Sequence, residues 1–175
     1  MFKTTIAFLM LTFTAWSCPF DEAGIDVTIM AHKNIYSAVK SGNFQKASAE
    51  ITKQKELYTY FEKADKKPLY QPLLAASNLK DEVKVKKLLD HSLVLEIKEL
   101  LGQVDENFNN YQKSRLLLIK AKKHLKALTK ESKPMKAMKK ILKSIGNPGL
   151  MGMGKREPDK EMFEENRKLL LGMIE

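Results

Sequence analysis

The stretch Leu79–Leu101, LKDEVKVKKLLDHSLVLEIKELL, decides the fold class. Val85, Leu89, Leu93, Ile97 and Leu100 recur at the spacing of one face of an α-helix, which turns every 3.6 residues. A strand would need apolar–polar alternation, and neither this stretch nor its neighbours sustain it; β-branched runs are few and no Asn-Gly hairpin turn occurs. The spacing predicts one long helix from Leu79 to about Leu101, broken by Gly102.

Toward the amino end, a helix over Phe44–Ala64 is expected to bury Ala47, Ile51, Leu57, Tyr58 and Phe61. Asp65–Pro72, punctuated by Pro68 and Pro72, reads as a linker, followed by a short helical turn at Leu73–Ala76. A first helix begins after Pro19, with Asp21 and Glu22 near its amino end, where acidic groups suit the helix dipole. Its inward candidates are Ile25, Ile29, His32, Tyr36 and Val39, and Gly42 supplies a left-handed carboxyl cap. Toward the carboxyl end, Asp105 is the candidate cap of a fourth helix that carries Phe108, Tyr111, Leu118, Ala121, Leu125 and Leu128. Four principal helices on short connections imply an all-α, antiparallel helical bundle. A basic fifth helix starts at Ser132-Lys133-Pro134 and ends at Gly146. Gly146–Gly154 reads as a flexible break before a short C-terminal helix that bears Met162, Phe163, Leu169, Leu170 and Met173. The expected organisation is a signal segment at 1–17, a bundle domain at 18–145 and a Gly/Met loop with C-terminal helix at 146–175.

Ile35–Ala47 resembles the helix–turn–helix junction of a tetratricopeptide repeat, which places a turn, an aromatic and a small residue at these offsets. The resemblance covers thirteen residues. Its nearest echo, Ala76–Val83, has neither the glycine nor the aromatic, and no third copy follows. A helical hairpin accounts for the junction equally well.

The chain has 175 residues, 43% hydrophobic and 30% charged, which fits one globular domain. Lys3, an uncharged run from Thr4 to Thr14, and small residues at Ala15 and Ser17 form the layout of a secretory signal. The protein is therefore expected to be exported, to a periplasm or as an envelope-attached protein. Cys18, the single cysteine, follows directly. It is a candidate for lipidation, although Ala15 and Trp16 depart from the usual lipoprotein signal; ordinary cleavage after Ser17 would leave a free thiol. No later apolar run approaches the ~20 residues of a membrane span, so no transmembrane helix is expected in the mature chain.

Between Lys113 and Lys143 lie twelve Lys or Arg residues and one acid, Glu131. That +11 exceeds the +10 of the whole chain, which leaves −1 elsewhere. One-signed charge over two helices repels itself, and an anionic partner is a natural reason to tolerate it. Candidate contacts are Lys120, Lys122, Lys123, Lys126, Lys136, Lys139, Lys140 and Lys143. The candidate partners are an anionic membrane surface, an envelope polymer or an acidic protein. Export, and the absence of an aromatic from the stretch, argue against nucleic acid. Met135, Met138, Ile141, Leu142 and Ile145 form a stripe among the lysines, which either lies on a membrane or partner, or packs on the bundle.

A second class of function rests on His and Met. Facing helices of a bundle can hold haem between such side chains, and thioethers suit Cu(I). Met30, His32, His91, His124, Met151 and Met153 are the candidates for haem or metal. No Cys-x-x-Cys-His is present, and no nucleophile elbow, phosphate loop or His-Glu-x-x-His motif points to an enzyme. The leading expectation is a non-enzymatic helical binding or adaptor protein of the bacterial envelope. The alternative is a periplasmic haem- or copper-binding bundle.

Overall fold

The computed structural model describes residues 26–149 and 154–175. Among them are eight helices: α1 (Val27–Lys40), α2 (Phe44–Lys53), α3 (Lys55–Asp65), α4 (Tyr70–Asn78), α5 (Glu82–Glu106), α6 (Tyr111–Leu128), α7 (Ser132–Ser144) and α8 (Lys160–Ile174). The all-α, bundle-like class expected from helical periodicity is what the chain adopts. Asx residues start five of these helices. Asp26, Asn43, Asp81, Asn110 and Asp159 each accept a hydrogen bond from the backbone N–H three residues on, at 3.1, 3.0, 2.9, 3.1 and 2.8 Å.

α5 starts at Glu82, three residues later than its sequence suggested because Leu79–Asp81 form the preceding turn, and it runs through Gly102 without a break to Glu106. At about 1.5 Å per residue, 25 residues span ~37 Å, enough to serve two cores in succession. Val85, Leu89 and Leu95 join α1–α4 in the first core, around Ile35, Ile51, Phe61 and Leu73. Ile97, Leu100, Leu101 and Val104 join α6–α8 in the second, around Leu118, Leu125, Met138 and Phe163.

The first half is two stacked hairpins with the same turn. Asn43 N–H donates to Ala38 C=O at 2.9 Å and Gly42 N–H to Val39 C=O at 2.9 Å; Asp81 and Lys80 repeat this to Ala76 and Ser77 at 2.9 and 3.0 Å. Lys80 takes the left-handed conformation, φ 58°, that Gly42 takes at 72°. The echo that lacked its glycine therefore makes the same turn with a lysine. Ser48 Oγ lies 2.9 Å from Ser77 Oγ and donates to Asn78 Oδ1 at 2.9 Å, which holds the two hairpins side by side.

Several local expectations are corrected. The helix expected over 44–64 is two helices that meet at Gln54, where Thr52 Oγ1 donates back to Ser48 C=O at 2.8 Å, a bond that bends helices. Pro72 lies in the first turn of α4, where its missing N–H costs nothing, and not in a linker. The Glu62 carboxylate accepts from Leu69 and Tyr70 N–H, both at 2.7 Å, and so caps that turn from a distance. Asp105 belongs to α5, and Asn110 caps α6 in its place. The buried face of α1 is Thr28, Ala31, His32, Ile35, Ala38 and Val39, one step round from the expected stripe.

The described part of the C-terminal segment, residues 154–175, packs on the bundle. Phe163 and Leu170 are fully buried in the second core, and the Phe163 ring lies 5.2 Å from Phe108. Asn147 and Arg156 exchange two backbone hydrogen bonds at 2.8 Å, and Asp159 N–H reaches Ser144 C=O at 2.7 Å. Lys160 pairs with Asp105, as does Arg167 at 3.0 Å, tying α8 to α5. A helix this short is marginal alone in water, and this docking supplies its stability. The expected signal segment at 1–17, Cys18, the expected helix start with Asp21 and Glu22, the inward candidate Ile25, and Met151 and Met153 lie outside the described residues.

Two glycines are expected to respond in opposite senses. A Cβ at Gly102 meets nothing within 4 Å on a helical backbone, so Gly102→Ala raises stability by about 0.5–1 kcal/mol. At Gly146, φ is +76° and a Cβ would stand 2.6 Å from Arg156 O, so Gly146→Ala lowers stability by at least ~1–2 kcal/mol. Urea unfolding of the two variants checks both signs.

Candidate functional site

Helical geometry sorts the basic segment into an inner and an outer face. In α7 the apolar positions Ala137, Met138 and Ile141 are buried, with Met135 and Leu142 packed against the same core. Lys133, Lys136, Lys139, Lys140 and Lys143 are exposed on the opposite arc. The stripe of α7 is thus taken up by the bundle, leaving only the lysine side for a partner. In α6, Lys123 and Lys126 are exposed and Lys122 is half-buried. Among the described residues none of these lysines forms an ion pair, while Glu131 is the one acid in the stretch. Lys126 and Lys130 also rim a cleft of about 500 Å³ with Lys33 and Lys86, over Tyr36 and Leu128.

Lys120 does not belong to that face. Its side chain is 15% exposed and its Nζ donates to Glu96 Oε1 at 2.9 Å, inside the packing of α5 against α6. Glu96 itself is 1% exposed. Burial pushes its carboxyl above the usual range, against the opposing pull of Lys120 and His124.

Each of the three histidines is matched to an aspartate on a different segment. His32 Nε2 lies 3.0 Å from Asp90 Oδ1, and His91 Nε2 lies 3.2 Å from Asp65 Oδ2. His124, fully buried, places Nδ1 3.0 Å from Lys120 C=O and Nε2 3.1 Å from Asp26 Oδ1. That last contact is at hydrogen-bond distance but out of line. Burial works to raise the Asp26 carboxyl, but His124, the Ile29 N–H and Lys120 outweigh it and hold the group below the usual carboxylate range. At Asp90 burial is likewise outweighed, by His32 and Lys86. Met30 is 46% exposed. No group of three or more His, Cys, Asp or Glu among the described residues is placed to hold a metal ion.

Two side chains that the sequence reading passed over stand on the same outer side of α6. Leu116 is 67% and Ile119 38% exposed, beside the exposed Arg115. The signal was present in the run Leu116-Leu117-Leu118-Ile119, because only part of four consecutive apolar residues can face inward on a helix. The buried polar set of Asp26, Glu96, Lys120 and His124 carried no comparable signal, since its members are far apart in sequence.

Comparison of the chain with protein-family models, curated proteins and solved structures finds no match. No helix among the described residues is long and apolar enough to cross a membrane.

Lys120→Met strands the Glu96 carboxyl and is expected to cost about 3–5 kcal/mol, most of it recovered in Lys120→Met/Glu96→Leu. Denaturant titration of the single and double variants measures this.

A carboxyl whose folded pKa is depressed adds stability above its unfolded value, and that stability is lost as pH falls through the folded value. For Asp26 and Asp90 the loss begins below about pH 4. Melting temperatures across this range are expected to fall less steeply in Asp90→Asn, and in Asp26→Asn, which keeps an equally good helix cap.

Proposed function

We propose that this protein is an exported, non-enzymatic helical binding protein of the bacterial envelope, whose lysine face contacts an anionic surface or partner. The observation that carries the reading is the outer arc of α7, where Lys133, Lys136, Lys139, Lys140 and Lys143 stand exposed with no ion pair among the described residues. Folding does not require that arrangement, because the apolar side of the same helix already supplies the packing. The histidines are engaged by Asp26, Asp65 and Asp90 as ties between segments, and the Glu96–Lys120 pair is enclosed by α5 and α6. The contact is electrostatic, made by flexible lysine ends over a rigid scaffold, with α7 remaining docked. It is therefore sensitive to salt, since exposed charges are screened beyond ~10 Å at 0.1 M ionic strength.

Replacing Lys136, Lys139, Lys140 and Lys143 together with Gln tests the assignment. Each lysine near an anionic surface contributes about 1 kcal/mol, so the variant, which loses four, is expected to bind anionic vesicles or a polyanion at least roughly tenfold more weakly. Its melting temperature should match that of the parent. Co-sedimentation with anionic vesicles and retention on a polyglutamate matrix, at low and high salt, measure the change. Undiminished binding to both would reject the face.

A further inference from the structure

Resting on that reading, we infer that the anion is a phospholipid surface, engaged peripherally by α6 through Leu116 and Ile119. At about 100° per residue, α6 places Arg115, Leu116, Ile119, Lys122, Lys123 and Lys126 on one arc of about a third of the circumference. The arc contains no acid. Leu116 is 67% and Ile119 38% exposed, one turn apart, and neither belongs to a core cluster. Cations surround them on both sides along the helix. A single exposed apolar residue needs no explanation, but an adjacent pair enclosed by four cations has the composition of an interfacial contact: apolar tips below the headgroups, ammonium groups at their level.

The apolar pair beside the cations favours a lipid surface over an acidic protein, and the lysine-rich face, like the whole chain with 28 of its 31 cations lysine, is consistent with it. Eleven of the twelve cations between 113 and 143 are lysine and one is arginine. Arginine, with its planar fork, is the residue enriched where proteins pair with fixed carboxylates, and lysine is depleted there. Lysine is a mobile, strongly hydrated point charge that suits a diffuse, fluid layer of phosphates. Two apolar side chains and a set of lysines give reversible attachment, in keeping with the absence of a crossing helix among the described residues.

Leu116→Ser/Ile119→Ser leaves the core intact and is the test, made by co-sedimentation with phosphatidylcholine vesicles with and without phosphatidylglycerol. The parent is expected to bind only the anionic vesicles and to keep part of that binding at high salt. The double variant should melt like the parent, bind roughly tenfold more weakly at low salt and lose the salt-resistant part. If the serine variant binds like the parent while the four-lysine variant does not, the lipid inference falls and the basic face stands. Tighter retention on polyglutamate than on anionic vesicles, equal in parent and serine variant, overturns it in favour of an acidic protein. A parent that binds neither vesicles nor polyglutamate overturns both readings.

Discussion

From Ser92 to Ile97, α5 presents no face to solvent: six consecutive residues are buried, with helices of the first half on one side and α6 on another. An amphipathic helix needs one apolar stripe, whereas a helix enclosed all round has to satisfy every side chain at that level. Leu93, Val94, Leu95 and Ile97 do so by packing. Ser92 does so by donating to Leu89 C=O at 2.6 Å, and Glu96 does so at Oε1, which accepts from Lys120, while its Oε2 is buried without a hydrogen-bond partner. The two cores meet on this segment, so their relative placement depends on a continuous hydrogen-bonded backbone through it. Gly102 does not interrupt that backbone because a helix already fixed by packing on both sides tolerates the ~1 kcal/mol that glycine costs.

Charge is divided between two uses. Inside, Asp26, Asp65, Asp90 and Glu96 each meet a histidine or lysine from another element, so the few acids that are enclosed act as ties between segments. Removing either member of such a tie leaves the other desolvated, which makes these contacts more valuable for alignment than for net stability. Outside, Lys122, Lys123 and Lys126 of α6 and the five lysines of α7 form no ion pair with an acid among the described residues. The first use consumes Lys120 even though it sits in the middle of the basic run, and the second keeps Lys123 and Lys126 three and six residues later.

The C-terminal segment shows how composition and tertiary context part company. Glycines at 146, 149, 152 and 154 and Pro148 cannot continue a helix, and in that sense the break was legible. A break in a helix is not a break in packing. Gly146 turns with positive φ so that the Asn147–Arg156 backbone pair can form, and this delivers α8 onto α7 and α5.

What the sequence by itself determined is whatever depends on local period and local hydrogen bonding. That includes the helical class, the turn at Gly42, and the segregation of Met138 and Ile141 from Lys136, Lys139, Lys140 and Lys143 on α7. All of these are set within a turn or two of the chain, where side-chain direction follows from residue number. Tertiary structure alone decided that Lys120 turns inward to Glu96, that His124 meets Asp26, that Phe163 completes the second core, and that Leu116 and Ile119 are left outside. Those outcomes depend on which neighbouring helix covers a given face. The free energy of burying a carboxylate or an apolar side chain is fixed by that neighbour and not by the adjacent residues in the chain.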